Sequence, residues 1–192
     1  MSIVVGVLAL QGAYQKHIEL LHSMGVTTQN VRQPQQLEGC SALIIPGGES
    51  TTISLLIQEH GLYVPIRSFA AEHPVMGVCA GMIMLANEVD DARVKPLGLM
   101  PFKAIRNHYG RQVHSFSTDV QLEFARNDEP FHAHFIRAPG IENILPEIEV
   151  LARYHDEPVM ISTDKHMALS FHPELTSDTR IHQHWLRNVI TH

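Results

Sequence analysis

The hydrophobic pattern changes character along the chain. Residues 3–10 (IVVGVLAL) form a continuous apolar run rich in valine and isoleucine. Such a run predicts a strand buried on both faces. After Gly12, Ala13, His17, Leu20, Leu21 and Met24 recur at helical spacing, and Gly25 closes the segment. A second buried strand is expected at ALII (42–45), cut off by Pro46, Gly47 and Gly48. Ser50, Thr51 and Thr52 then offer N-cap hydroxyls for a helix through ISLLIQEH, which ends at Gly61. A helix over YVPIRSFAAEH, a strand at VMGV (75–78) and a helix over AGMIMLANEV follow. This alternation of strand and helix predicts a mostly parallel sheet with helices on both faces.

Beyond about residue 92 the pattern shifts. Gly98, Pro101 and Gly110 punctuate alternating stretches, QVHSFSTDVQLEF and HFIRAP, which read as antiparallel strands. EVLARYHDEPVMISTDKHMALSF predicts two or three more strands joined by short polar turns. A final helix, DTRIHQHWLRNVIT, aligns Ile181, Trp185 and Val189 on one face. With no linker, repeat or low-complexity segment, residues 1–192 are expected to form a single domain.

Composition narrows the function. A hydrophobic share of 44% and a charged share of 18% are those of an ordinary soluble globular protein. The net charge of -6 argues against a nucleic-acid binder. No apolar run approaches the roughly 20 residues that span a bilayer, and the N-terminus lacks the positive region and cleavage site of a signal peptide. Two cysteines, Cys40 and Cys79, supply neither a disulfide framework nor a metal-binding pair, so a cytoplasmic location is expected. The 14 histidines are scattered, and most are expected at the surface.

Three short segments carry the candidate chemistry. Gly77-Val78-Cys79-Ala80-Gly81 has the glycine-x-nucleophile-x-glycine form of a nucleophile elbow. The glycines permit a tight strand-to-helix turn that leaves the nucleophile projecting, with backbone N–H groups of the helix start facing the sulfur. The Ala80 N–H would point at the oxygen of an attacked carbonyl. The alternative is a small core cysteine at a strand-to-helix turn. Ser170-Phe171-His172-Pro173-Glu174 offers a base. Residues two apart in an extended segment share a side, so Glu174 can orient His172, and Pro173 should end the strand. Pro46-Gly47-Gly48-Glu49-Ser50-Thr51 brings bare backbone near a ligand and suits an oxyanion hole, where one donor contributes ~2.7–4 kcal/mol. It lacks the G-x-x-x-x-G-K-[ST] pattern of a phosphate loop. All three segments are expected at the carboxyl ends of parallel strands, where such sheets gather their ligand sites.

These three segments together resemble those of the class I, triad-type glutamine amidotransferases. With GVLALQG, RNHYGRQ and FIRAP, the chain resembles the glutaminase subunits of pyridoxal 5′-phosphate synthases from about residue 3 to residue 190. The resemblance implies a flavodoxin-like α/β fold, mostly parallel with antiparallel strands in the C-terminal half. It implies Cys79 as nucleophile, His172 as base and acid, and Glu174 as its orienting group. It further implies L-glutamine contacts from Gly47, Gly48, Glu49, Arg106, Ile136 and Arg137, and oxyanion donors at Gly48 and Ala80. Gln11 matches a position that couples the oxyanion loop to the partner. That partner is an ammonia-accepting synthase subunit in a hetero-oligomeric complex, which joins ribose 5-phosphate and glyceraldehyde 3-phosphate. No cofactor or metal of its own is implied. One departure stands out: Lys16 precedes His17, where relatives commonly have an acidic residue, on a helix expected near the partner surface.

Other readings lead elsewhere. The glutaminase of another amidotransferase, such as imidazole glycerol phosphate synthase, would use the same triad, but ALQG and FIRAP weigh against it. PfpI-type proteases or chaperones usually carry histidine after the elbow cysteine, where this chain has Ala80. A catalytically dead regulatory module would be free to lose part of the Cys79, His172 and Glu174 set. His132-Ala133-His134 and His182-Gln183-His184 suggest metal binding, but no cysteine or acidic cluster completes a site. Cys40 has neither an elbow nor a partner.

Overall fold

A computed structural model of the chain describes residues 3–109, 115–126 and 128–191, with side chains to residue 187. Gly110, Arg111 and Gln112 of the RNHYGRQ segment lie outside the described residues, as does the Val189 side chain.

The first half alternates as the pattern predicts. β1 (Val4–Leu8) leads to α1 (Tyr14–Ser23), β2 (Thr27–Val31) and β3 (Ala42–Ile45). Next come α2 (Ser50–Glu59), α3 (Tyr63–Glu72), β4 (Val75–Val78) and α4 (Ala80–Leu85). The second half contains β5 (Ala86–Val89), β6 (Met100–Ile105), β7 (Ser115–Val120), β8 (Phe131–Ile136) and β9 (Gly140–Glu142). It finishes with β10 (Glu149–Tyr154), β11 (Glu157–Ser162), β12 (Met167–Leu169) and α5 (Arg180–Thr191).

Seven strands form the main sheet in the order β10-β11-β12-β4-β3-β1-β2. From β12 to β2 every pairing is parallel, whereas β12-β11 and β11-β10 are antiparallel. The strand order therefore reverses between β1 and β3, which makes a switch point at their carboxyl ends. Both faces are covered, because β3 and β4 are buried at every residue. Leu43, Ile45 and Val75 face a core built with α2, α3 and α4. Ala42, Ile44, Met76 and Val78 face Ile18 and Leu21 of α1, Ile181 and Trp185 of α5, and Phe131 and Phe135 of β8. Each buried Val, Leu, Ile, Met and Phe among these contributes about 1.5–3 kcal/mol of apolar transfer.

Two smaller sheets flank the carboxyl end of the main one. In the first, β5 pairs parallel with β6 and β6 antiparallel with β9. In the second, β7 and β8 form an antiparallel hairpin, as the alternation predicts.

Two expectations need correction, and one strand goes unforeseen. The helix expected over AGMIMLANEV stops at Leu85, and residues 86–89 are strand β5. Every residue of α4 is buried, so its sequence has no polar face to mark where it ends. The polar strand β2, TTQNV, is not legible as an alternation, since it is the sheet's edge and only Val31 is fully buried. The N-cap of α2 is Glu49, not one of the hydroxyls, because its longer side chain reaches the N–H groups of Thr51 and Thr52.

The close seat of α4 on the sheet depends on Gly81. A Cβ there would lie 1.9 Å from the carbonyl oxygen of Ile45, which is backbone and cannot swing away. Gly81→Ala is expected to destabilise the fold by about 3 kcal/mol or more, read as a lower urea midpoint. Wild-type stability would show that α4 has room to move off β3.

Candidate active site

Four strands of the main sheet deliver their carboxyl ends to one cleft of about 300 Å³. Gln11, Gly12 and Ala13 follow β1, and Gly47, Gly48, Glu49 and Ser50 follow β3. Cys79 and Ala80 follow β4, and His172 follows β12. The flanking sheets add Arg106 and Asn107 after β6, Ile136 at the end of β8, and Arg137 and Pro139 after it. Every residue expected to act on, or hold, a substrate lines this cleft except Glu174, which lies behind it.

Cys79 is held with φ 51° and ψ -107°, a backbone combination that L side chains rarely adopt. Its N–H donates to the Leu169 carbonyl at 2.8 Å, which ties the turn to β12. The elbow expected from the glycines is therefore present, and its Sγ lies 3.8 Å from the Ile136 carbonyl oxygen. The first glycine of the motif gives room, since a Cβ on Gly77 would meet the Gly81 carbonyl at 2.5 Å.

His172 and Glu174 are both buried, and His172 Nδ1 lies 2.7 Å from Glu174 Oε1. The extended-segment reasoning finds the right pair for the wrong local reason. β12 ends at Leu169, and residues 173–175 form a 3-10 turn that folds the carboxylate back onto the imidazole. Burial alone would lower the His172 pKa, but its interactions with Cys79 and Glu174 outweigh that and push it up to about 10. Burial would raise the Glu174 pKa, but His17 and His172 outweigh it and keep the carboxyl below its ordinary range.

The glycine loop is fixed from β1. Ala13 N–H donates to the Gly47 carbonyl at 2.9 Å, and Glu49 N–H donates to Gln11 Oε1 at 2.9 Å. Gly47 sits so close to His172 and Cys79 that a Cβ would lie 2.4 Å from His172 Cε1 and 3.4 Å from Cys79 Cβ. Gly12, with φ +91°, is pinned in the same way, since its Cβ would lie 1.9 Å from the Gly47 carbonyl oxygen.

Glu49 turns away to cap α2 and to meet Arg106. It accepts from Thr52 N at 2.7 Å and Thr52 Oγ1 at 2.9 Å, and from Arg106 Nη2 at 3.0 Å. Arg106 also pairs with Asp91. Sequence reasoning missed that Asp91 and Glu49 hold this guanidinium at the cleft's edge, and nothing local signals it. It also missed Asn107, which lines the cleft at φ 52°, as Arg137 does at φ 44°. Burial would raise the Glu49 pKa, but the hydrogen bonds from Thr51 and Thr52 prevail and set it at about 2. A depressed carboxyl stabilises the fold above its ordinary value of 4.5, and that contribution fades as pH falls from 4.5 toward 2. Glu49→Ala is expected to cost about 1 kcal/mol near neutrality, with a shallower loss of stability below pH 4.5. Urea titrations of both proteins across that range check it.

Of the four histidines in the two suggested metal pairs, His132, His134 and His184 have ordinary partners. His132 meets Asp119 at 2.8 Å and His134 meets Ser117 Oγ at 2.7 Å. His182 is fully buried, and His184 stacks on Phe124. Among the described residues no three His, Cys, Asp or Glu side chains converge to hold a metal ion. No helix among them is long and apolar enough to cross a membrane.

Comparison with known proteins finds relatives over nearly the whole chain. Residues 7–191 match the model of the SNO glutamine amidotransferase family. A protein of Moorella thermoacetica named pyridoxal 5′-phosphate synthase subunit PdxT is 47% identical over 186 residues, which cover 96% of this chain and 98% of that one. A protein of the same name from Mycolicibacterium vanbaalenii is 48% identical, over 93% of this chain and 94% of that one. A solved structure described as a glutamine amidotransferase superposes with a TM-score of 0.91 at 42% identity, over 96% of this chain and 98% of that one.

Proposed function

This chain belongs to the SNO glutamine amidotransferase family, and from that premise we propose that it is the glutaminase subunit of a pyridoxal 5′-phosphate synthase. It hydrolyses L-glutamine to L-glutamate and ammonia, and passes the ammonia to a separate synthase subunit. That subunit joins it with ribose 5-phosphate and glyceraldehyde 3-phosphate. The cytoplasm, where the free thiols of Cys40 and Cys79 stay reduced, is the compartment that suits it.

The observation that carries the reading is the strained Cys79 in one cleft with the His172–Glu174 pair and the Gly47-Gly48 loop. Cys79 gives its proton to His172, and the sulfur attacks the side-chain amide carbon of glutamine. Backbone N–H groups of Gly48 and Ala80 hold the oxyanion. His172 then protonates the departing nitrogen, and ammonia leaves behind a γ-glutamyl thioester. Water attacks the thioester while His172 takes its proton, and the sulfur departs with that proton to regenerate the thiol as glutamate is released. Glu174 keeps the imidazole oriented throughout and stabilises its positive charge. Gly47, Gly48, Glu49, Arg106, Ile136 and Arg137 bound the volume that the amino acid would fill.

The test is glutamate release from glutamine with and without the cognate synthase subunit. Release that rises with the subunit and vanishes in Cys79→Ala supports both the chemistry and the pathway. No release in either condition overturns the glutaminase reading for this pairing.

A further inference from the structure

Behind the triad lies a second histidine that the mechanism has not used. His17, on α1, is completely buried, and its Nε2 lies 3.6 Å from Oε2 of Glu174, whose side chain is likewise fully buried. Glu174 spends Oε1 on His172, which leaves Oε2 as a buried oxygen without a hydrogen-bond partner. Neither ring nitrogen of His17 has a partner either. A buried carboxylate oxygen left bare is costly, and a neutral imidazole donor aimed at it is the cheapest remedy. A small rotation of either side chain closes 3.6 Å to a hydrogen bond. Burial lowers the pKa of His17, which favours a neutral ring with one N–H to give. His182 of α5, also fully buried, packs its ring 5.8 Å from that of His17 and seals the group from solvent.

We propose that His17 is a positioning residue for the triad: its Nε2–H donates to Oε2 of Glu174 and so keeps Oε1 on Nδ1 of His172. The placement on α1 gives this consequence beyond packing. Ala13 is the N-cap of α1, and its N–H holds the Gly47 carbonyl. His17 lies one turn further along the same helix. The first turn of one helix thus ties the glycine loop and the Glu174 carboxylate to each other.

This inference rests on the glutaminase reading for its kinetic test, so a second readout is independent of turnover. Glutamate release by the chain assembled with its synthase subunit is compared for wild type, His17→Leu, His17→Asn and His17→Gln. Leucine removes the donor, asparagine is too short to reach Glu174, and glutamine restores a neutral N–H at similar reach. Turnover is expected to fall about tenfold in His17→Leu and His17→Asn with KM nearly unchanged, and to recover in His17→Gln. The Nδ1 proton of His172, identified in histidine-labelled protein by its loss in His172→Asn, is expected to shift in the first two variants and return in the third. If His17→Leu fails to fold, the asparagine and glutamine pair carries the comparison. Turnover within about twofold of wild type in both non-reaching variants overturns the role of His17 and leaves the glutaminase reading standing. If wild type itself releases no glutamate, that reading falls, and the proton decides alone: an unmoved resonance overturns the inference, a moved one supports it.

Discussion

Cys79→Ala is expected to lose glutamate release by a factor on the order of 10⁵–10⁶, because in the proposed mechanism Cys79 is the nucleophile and its neighbours cannot replace it. The variant should still fold, since alanine keeps the Cβ and only the small sulfur, 7% exposed with its residue, is lost. Stability provides a second expectation. Cys79 carries φ 51° and ψ -107°, and alanine inherits that conformation with its strain. Glycine adopts it freely, so Cys79→Gly is expected to be about 1 kcal/mol more stable than Cys79→Ala after the entropy of its unfolded chain is counted. Both would be inactive. Glutamate assays in the presence of the synthase subunit, alongside urea unfolding, separate the two effects. Residual turnover above about 1% in Cys79→Ala would mean that water is activated by His172 directly and that no thioester is formed. A glycine variant less stable than alanine would mean that the elbow is held without strain.

How far the sequence reveals this site depends on where each residue's partner lies. Strands buried on both faces, ALII and VMGV, announce themselves because every position must be apolar. The glycine pairs beside Cys79 and after Pro46 are equally legible, since a Cβ there would come within 3 Å of backbone atoms, the His172 ring or the Gln11 amide oxygen. β2 is not, because an edge strand buries little and its TTQNV reads as loop. Glu49 is legible as part of the loop but not as a cap, since Ser50 and two threonines beside it are the commoner caps. The position of His17 on the inner face of α1 follows from spacing alone, yet what it faces does not. Its partners, Glu174 and His182, come from the far end of the chain and meet it only once β12 has paired with β4 and α5 has packed down. Arg106 is similar: its acidic partners sit on α2's cap and after β5, on different sheets.

Gly47→Ala is expected to leave a folded protein whose turnover falls by roughly 10², the penalty that follows when reacting groups are displaced by about 1 Å. The reason lies in what the added methyl meets. At 2.4 Å from His172 Cε1 it overlaps the imidazole, and at 3.4 Å from Cys79 Cβ it touches the nucleophile's own stem. The imidazole is the softer obstacle, so it must turn, and turning breaks the 2.7 Å contact of Nδ1 with Glu174. Gly81→Ala meets backbone instead, which is why its cost falls on the fold while that of Gly47→Ala falls on the chemistry. The contrast makes the pair informative. Circular-dichroism melting should place Gly47→Ala near wild type and Gly81→Ala well below it, while glutamate release is reduced in Gly47→Ala far beyond any change in folded fraction. Full turnover in Gly47→Ala would show that His172 works from a position other than the one beside the glycine loop, and would remove the geometric basis for assigning it as the base.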